Sequence, residues 1–132
     1  MEKIDKIAWV CIQNKKVLGT LSKGKDKYYV PGGKREAGET DLETLIREVK
    51  EELTVDIDAP AVRYYETFED EAHGKPKGTI VKMTCYTAEY EGELKANNEI
   101  EKFEWLRFED IDMTTSVTKM LIKDLFDKGL IE

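Results

Sequence analysis

Hydrophobic and polar positions alternate with different periods along the chain, and each period predicts a type of element. The continuous apolar run over 7–12 is typical of a buried strand. Val81, Met83 and Cys85 alternate with polar residues, which is the period of a half-buried strand. Further strands are predicted at 17–21, 28–30, 62–68 and 103–106. The segment Pro31-Gly32-Gly33 is expected to end regular structure after the strand at 28–30.

A helical period appears twice. The first helix has an apolar stripe made of Leu42, Leu45, Ile46, Val49 and Leu53. Thr40 and Glu43 before this stripe have the spacing of a capping box. A second amphipathic helix is predicted over 117–125, with Thr115 or Ser116 as its cap and Gly129 as its stop. Strands around one helix, followed by a closing helix, predict a single α/β (α+β) domain over 1–132 with a mixed β-sheet between helices.

The composition limits the class of partner. The chain has 132 residues, of which 40% are hydrophobic and 37% charged, enough apolar material for one core. Its formal net charge is −7, so it lacks the basic surface of a protein that binds duplex DNA or RNA. An acidic chain can still take a nucleotide substrate, because a bound cation reverses the local sign of a site.

The cysteines and the hydropathy indicate the compartment. Cys11 and Cys85 lie in apolar runs without a second cysteine or histidine at metal-ligand spacing, which predicts two buried free thiols. No apolar stretch approaches the roughly 20 residues of a membrane span. The N-terminus carries no apolar core of a signal peptide. We therefore expect a cytoplasmic protein without membrane contact.

The residues that carry chemistry are glutamates on the first helix. Glu48, Glu51 and Glu52 share one helix face, where like charges destabilise a helix by about 0.2–0.5 kcal/mol per pair. Mg²⁺ and Mn²⁺ prefer carboxylate oxygens, so a metal site would explain the cluster. The alternative is a solvated acidic face. Gly33 before the helix favours the metal site because glycine lets the backbone and its carbonyl oxygen approach a metal or phosphate.

The segment 33–55 resembles the Nudix box, whose pattern is G-x5-E-x7-R-E-U-x-E-E-x-G-U, with U aliphatic. The matching residues are Gly33, Glu39, Arg47, Glu48, Val49, Glu51, Glu52 and Val55. Thr54 departs from the pattern, since it stands where the family has glycine. Threonine is β-branched and resists a positive φ, so we expect the exit from the helix to differ from that of the family.

The resemblance implies a fold and a set of roles. The fold would be a Nudix-type α/β/α sandwich. Glu48 and Glu52 would bind Mg²⁺ or Mn²⁺ with the carbonyl of Gly33. Glu51 would be a further ligand or would orient the attacking water. Glu39 and Arg47 would brace the loop against the helix.

The general base in some members comes from a loop beyond the box. Glu99 occupies a comparable loop here, and Glu93 and Glu101 are its competitors. The catalytic candidates are therefore Glu51, Glu52 and Glu99.

The substrate implied by the resemblance is a small molecule, a nucleoside diphosphate linked to another group X. The short chain resembles the MutT-like branch, so our first choice is a nucleoside triphosphate, including oxidised ones. Tyr28 and Tyr29 are candidates to stack on a base, and Lys34 and Arg35 are candidates to contact phosphates. The alternatives are one core tyrosine beside an ordinary strand residue, and two solvated loop cations. His73 lies in a predicted loop that borders the site if the loop folds over it.

Two other interpretations compete with an enzyme. One is a nucleotide-binding sensor that keeps the Nudix fold without catalysis, and the other is a structural protein with an acidic helix. Because small Nudix proteins are often dimers, the resemblance also admits a homodimer.

Overall fold

The computed structural model describes residues 3–72 and 74–132. Its strands, in chain order, are β1 Lys3–Val10, β2 Ile12–Gln13, β3 Lys16–Ser22, β4 Gly32–Lys34, β5 Asp56–Ile57, β6 Arg63–Glu71, β7 Ile80–Thr87, β8 Tyr90–Glu91 and β9 Ile100–Leu106. The α-helices are α1 Asp41–Leu53 and α2 Ser116–Asp127. Short 3₁₀ turns lie at Ala59–Ala61 and Phe108–Met113.

The main sheet is mixed, as predicted. Its strand order is β4-β1-β7-β6, with β1 parallel to β7 and the other neighbours antiparallel. A second sheet has the order β2-β3-β9 and is antiparallel throughout, and β5 pairs with β8. The parallel pair β1 and β7 is central in the main sheet, which is the position where a strand needs cover on both faces.

Strand β1 supplies both halves of the hydrophobic core. Ile7 and Trp9 point into a cluster with Leu45, Val49 and Leu53 of α1. The alternate residues Ala8 and Val10 point into the opposite cluster, which contains residues of α2 that include Val117, Leu121, Ile122 and Leu125. Successive side chains of a strand point to opposite faces, so one strand serves both helices. This arrangement confirms the predicted fold class of a sheet between helices.

Helix α1 begins where the capping pattern predicts. The backbone N–H of Glu43 donates to Oγ1 of Thr40 at 3.2 Å, and the N–H of Thr40 donates to Oε1 of Glu43 at 2.9 Å. Leu45, Val49 and Leu53 of the predicted stripe are fully buried, whereas Leu42 in the first turn is exposed. Each buried side chain contributes about 1.5–3 kcal/mol, so the apolar stripe determines which face of the helix packs against the sheet. The orientation of the neighbouring glutamates follows from this packing.

The glycine segment after residue 30 corrects the prediction that regular structure ends there. Gly32–Lys34 forms β4 and pairs with 6–8 of β1, whereas Tyr28 and Tyr29 make only isolated bridges. At Gly32, a Cβ would lie 2.0 Å from the backbone oxygen of Ile7. The glycine therefore permits close strand contact instead of ending it. Strand β6 also extends to Glu71, three residues beyond the strand predicted at 62–68.

Thr54 corrects a second expectation. It adopts the left-handed conformation, with φ 63° and ψ 17°, and its N–H donates to the carbonyl of Lys50 at 3.0 Å. The helix therefore exits in the left-handed conformation that favours glycine, although threonine stands there. The conformation costs roughly 1–2 kcal/mol for an L-residue. Its Oγ1 donates to the carbonyl of Glu93 at 3.2 Å, a contact that partly offsets this cost and that glycine could not make.

Candidate active site

A cleft of about 300 Å³ lies at the N-terminal ends of β1 and β7, beside β4, α1 and the start of α2. Its charged lining residues are Lys6, Lys25, Lys34, Lys75, Glu48, Glu52, Glu71 and Glu99. A larger cavity of about 870 Å³ opens at the opposite ends of β1 and β7, beside β8, and contains none of the predicted site residues. The smaller cleft is therefore the candidate active site.

Glu52 is the most enclosed of the predicted metal ligands. The residue is only 6% exposed, and its Oε1 accepts a hydrogen bond from the backbone N–H of Gly32 at 3.1 Å. Burial raises the pKa of its carboxyl, while the charge of Lys6 and the bond from Gly32 act in the opposite direction. A buried carboxylate needs a nearby cation to remain ionised at neutral pH.

Glu48 lies against Gly33, one turn before Glu52. A Cβ on Gly33 would lie 1.6 Å from Oε1 of Glu48 and 2.4 Å from its Cδ. Only glycine leaves room for this carboxylate beside the backbone of β4. Burial also raises the pKa of Glu48, and the charge of Arg47 opposes the shift.

Arg47 joins the loop before α1 to the acidic face of the helix. Its Nε donates to Oε2 of Glu39 at 2.6 Å, and its Nη2 donates to Oε1 of the same carboxylate at 3.0 Å. Nη2 also donates to the carbonyl of Lys34 at 3.1 Å. The hydrogen bonds from Arg47 lower the pKa of Glu39 to about 2. The expected contact between Glu39 and Arg47 is thus present and is bidentate, the geometry that makes such pairs strong.

The same guanidinium meets two of the predicted metal ligands. Nη1 of Arg47 donates to Oε2 of Glu48 and to Oε2 of Glu51, at 3.1 Å each. The Glu51 side chain is 42% exposed and lies on the outer side of this contact. Over residues 3–72 and 74–132, no three acidic, histidine or cysteine side chains converge closely enough to surround a metal ion. Glu51 would have to turn away from Arg47 to become a ligand.

The predicted ligands other than Glu51 have the chemistry to bind a divalent cation. Glu48 and Glu52 offer hard carboxylate oxygens in a desolvated place, and a cation would offset the cost of their ionisation. The space that a Cβ on Gly33 would fill is taken by the Glu48 carboxylate. The donor chemistry and the glycine cradle therefore match a hard metal ion such as Mg²⁺ or Mn²⁺.

Glu99 reaches the same cleft from a different part of the chain. It lines the cleft with Glu48 and Glu52, whereas its competitors Glu93 and Glu101 do not. Its backbone carbonyl accepts from the N–H of Lys23 at 2.8 Å. Of the three acids that the sequence offers as the general base, Glu99 is thus the one that lines the cleft.

The residues predicted to contact the substrate do not all face the cleft. Tyr28 is only 5% exposed and packs in the core with α2, which corrects the prediction that its ring faces a substrate. The reason is the side-chain alternation of an extended segment, which turns its neighbour Tyr29 toward the cleft instead. Lys34 is exposed and lines the cleft, whereas Arg35 pairs with Asp5 and Asp41.

Lys6 is a cleft residue that the sequence analysis missed. Its Nζ donates to the carbonyl of Val30 at 3.3 Å and lies 4.8 Å from the centroid of the Tyr29 ring. Burial lowers its pKa, against the charge of Glu52. Period-two counting back from Ala8 would have placed Lys6 and Ile4 on one face of β1, but the predicted strand began only at residue 7.

Comparison with known protein families settles the class. A model of the NUDIX domain matches residues 4–125. The chain belongs to the NUDIX family. As a Nudix protein it is a hydrolase that cleaves phosphoanhydride bonds of small-molecule substrates, and Nudix hydrolases generally use divalent metal ions.

Solved structures share the Nudix fold over almost the whole chain. The E. coli ORF135 protein is 21% identical with a TM-score of 0.75, and the match covers 96% of this chain and 91% of that one. The MutT protein from Methanosarcina mazei Go1 is 15% identical with a TM-score of 0.78, covering 97% and 96%. The E. coli dihydroneopterin triphosphate pyrophosphohydrolase is 22% identical with a TM-score of 0.70, covering 96% and 97%. At these identities the likeness shows the fold alone.

Two other expectations can be compared with the structure. Cys11 and Cys85 are free and buried, as predicted, and burial raises the pKa of each thiol to about 12. None of the helices in the described ranges has the length and apolarity needed to cross a membrane. His73 lies outside the described residues.

Proposed function

We propose that this Nudix hydrolase is a Mg²⁺- or Mn²⁺-dependent pyrophosphohydrolase of nucleoside triphosphates, oxidised ones included. Other nucleoside diphosphates linked to X form the wider substrate class. The observation that carries the proposal is the convergence of Glu48, Glu52 and Glu99 on one cleft that also holds four lysines. The products would be a nucleoside monophosphate and pyrophosphate.

The lysines support a polyphosphate substrate. The chain has a net charge of −7, yet Lys6, Lys25, Lys34 and Lys75 gather around this cleft. These lysines balance the four glutamates of the same cleft, so the site is close to neutral in an otherwise acidic protein, and a bound divalent ion would make it attractive to an anionic substrate. Lys34 directly follows Gly33, against which the Glu48 carboxylate lies, and would contact the phosphates.

The uncharged walls would hold the nucleoside. They include the ring of Tyr29 and the apolar side chains of Ile4, Val30, Val81 and Val117. Aromatic and aliphatic surface favours the flat face of a base, while the lysines hold the charged end. The cleft therefore offers both apolar and cationic side chains to a nucleotide.

The metal-binding roles follow from the glycine cradle. Glu48 and Glu52, with the backbone of Gly33, would hold the divalent ion, and Glu51 would be a further ligand or the group that orients the water. A bound divalent ion neutralises phosphate charge and lowers the pKa of water. Arg47, fixed by both oxygens of Glu39, would hold Glu48 in place.

The chemical step would use Glu99 as general base. Its carboxylate takes a proton from the attacking water as the water oxygen bonds to phosphorus. The bond between that phosphorus and the bridging oxygen of the α–β anhydride breaks, and the bridging oxygen stays on the other half of the substrate, so that nucleoside monophosphate and pyrophosphate are the two products. Lysine contacts to the leaving phosphate would stabilise its developing charge.

The test is a hydrolysis assay over a panel of nucleotides. Purified protein is incubated with normal and 8-oxo nucleoside triphosphates and with nucleotide sugars, in Mg²⁺, Mn²⁺ or EDTA, and the products are separated by chromatography. We expect metal-dependent release of pyrophosphate from triphosphates, lost in Glu52→Gln and reduced to a measurable residual rate, about 100- to 10,000-fold lower, in Glu99→Gln. Glu101→Gln is the matched control, because this neighbouring acid does not line the cleft. Tight nucleotide binding without turnover would overturn the proposal in favour of a sensor.

A further inference from the structure

The loop that carries Glu99 is attached to the C-terminal end of α1. The backbone N–H of Lys95 donates to the carbonyl of Leu53 at 3.0 Å, and the N–H of Asn97 donates to the carbonyl of Glu52 at 2.9 Å. The side-chain Nδ2 of Asn97 donates to the carbonyl of Glu51 at 3.0 Å. The carbonyls that accept from Asn97 thus belong to Glu51 and Glu52, two of the three glutamates of the acidic face.

These bonds engage backbone carbonyls that an α-helix normally leaves without a hydrogen-bond partner. The last carbonyls of an α-helix have no partner within the helix and require water or a capping group. Here one segment supplies three donors to three successive carbonyls of α1. Asn97 supplies two of them, one from its backbone and one from its amide, so both its position and its orientation relative to the helix are set.

A short turn connects Asn97 to Glu99 and restricts the position of Glu99. The N–H of Ile100 donates to the carbonyl of Asn97 at 3.0 Å, which closes the turn around Glu99. Asn98 inside the turn has a left-handed φ of 54°, a conformation that asparagine tolerates. The carbonyl of Glu99 accepts from the N–H of Lys23 at 2.8 Å. Glu99 is therefore held between the end of α1 and the turn after β3.

We propose that Asn97 is a positioning residue, which sets the distance of Glu99 from Glu52 by joining the Glu99 loop to the backbone of α1. The inference rests on the proposed function, which assigns Glu99 its role as base. Asparagine suits the place because its amide is a neutral donor. Aspartate would bring an acceptor and a negative charge to the negative end of the helix dipole.

The kinetic test compares Asn97→Ala with Asn97→Asp and with Lys95→Ala. The lysine is the matched control, because its side chain is exposed and its backbone N–H bond to Leu53 remains in the variant. We expect kcat to fall by about 10- to 100-fold in Asn97→Ala with little change in KM, because a small displacement of a reacting group costs rates of that order. Asn97→Asp should lose at least as much, and Lys95→Ala should match the wild type.

A double variant separates positioning from a general loss of stability. If Asn97 acts through Glu99, the variant Asn97→Ala/Glu99→Gln has the kcat of Glu99→Gln alone. Effects that multiply would overturn the proposal, since Asn97 would then act by another route. A Glu99→Gln variant with wild-type kcat would overturn both this inference and the assignment of the base.

Amide hydrogen exchange tests the attachment without using activity. In Asn97→Ala we expect faster exchange at the N–H groups of Ile100 and Lys23, the two bonds that fix the turn, while Lys95→Ala leaves both unchanged. Unchanged exchange in Asn97→Ala would overturn the inference whatever the enzyme hydrolyses. An inactive wild type with the expected exchange pattern would instead show that the proposed function fails while the attachment through Asn97 is real.

Discussion

Replacing Gly33 by alanine should remove activity and leave the fold intact. The added Cβ would lie 1.6 Å from Oε1 of Glu48, 2.4 Å from Cδ and 2.9 Å from Cγ, whereas ordinary contacts begin at 3.4 Å. The Glu48 carboxylate must therefore retreat by about 2 Å. Displacements of about 1 Å at a reacting centre can cost 100-fold in rate, so we expect kcat to fall by at least about 100-fold.

The cost to stability should be small, because the clashing atoms are the end of a flexible side chain. Glu48 can rotate toward solvent and lose its hydrogen bond from Arg47, a change of about 1 kcal/mol in the free energy of unfolding. The assay pairs nucleotide hydrolysis with urea denaturation of the same preparation. This variant should thus lose its hydrolytic activity while its free energy of unfolding changes little.

Gly19→Ala is the matched control, since it makes the same chemical change inside the core. Its Cβ would lie 2.5 Å from Cδ1 of Leu106, a side chain that is 2% exposed. Overpacking of this kind costs about 1–3 kcal/mol, so this variant should be less stable and still have the kcat of the wild type. The reasoning is refuted if Gly33→Ala keeps its kcat, or if the two variants lose activity in proportion to their loss of stability.

Three further predictions concern metal, pH and the helix end. Saturating Mg²⁺ should raise the thermal midpoint of the wild type, by the equivalent of about 2.7 kcal/mol at 100 times Kd, and scanning calorimetry should find almost no rise in Glu52→Gln. The pKa of Glu39 falls from 4.5 to about 2 on folding, so its ionised form stabilises the fold above pH 4.5 and this contribution disappears as the pH falls toward 2. Acid denaturation of Glu39→Gln should therefore lack this part of the fall in stability; a curve parallel to that of the wild type would contradict the assignment. Thr54→Val keeps the branched shape and removes the hydroxyl bond to Glu93, so the free energy of unfolding should fall by about 0.5–1.5 kcal/mol in urea denaturation, and an unchanged value would show that the bond contributes nothing.

The sequence was sufficient for features that depend on near neighbours. The start of α1 follows from Thr40 and Glu43, three residues apart, and its buried face from an apolar stripe with helical spacing. The contact between Glu39 and Arg47 spans eight residues and could be expected from the box pattern. In each case the deciding interaction lies within a few helical turns, where spacing along the chain translates directly into distance.

Other features depended on pairing between distant segments. Gly32–Lys34 became a strand because β1 lies beside it, and Lys6 entered the cleft because β1 begins earlier than its apolar run. The separation of Tyr28 from Tyr29, one in the core and one in the cleft, depends on what packs against each face of an extended segment.

Glu99 shows most clearly what tertiary structure decides. The sequence by itself determined the helix, its cap and the glutamates that the helix carries. Only the folded chain shows that Glu99 lines the cleft whereas Glu93 and Glu101 do not, and hydrogen bonds from Asn97 join this loop to the end of α1. Such bonds join residues that are far apart in the sequence. Asn97 and Glu51 are 46 positions apart, so no local pattern of hydrophobic and polar residues can predict the bond between them.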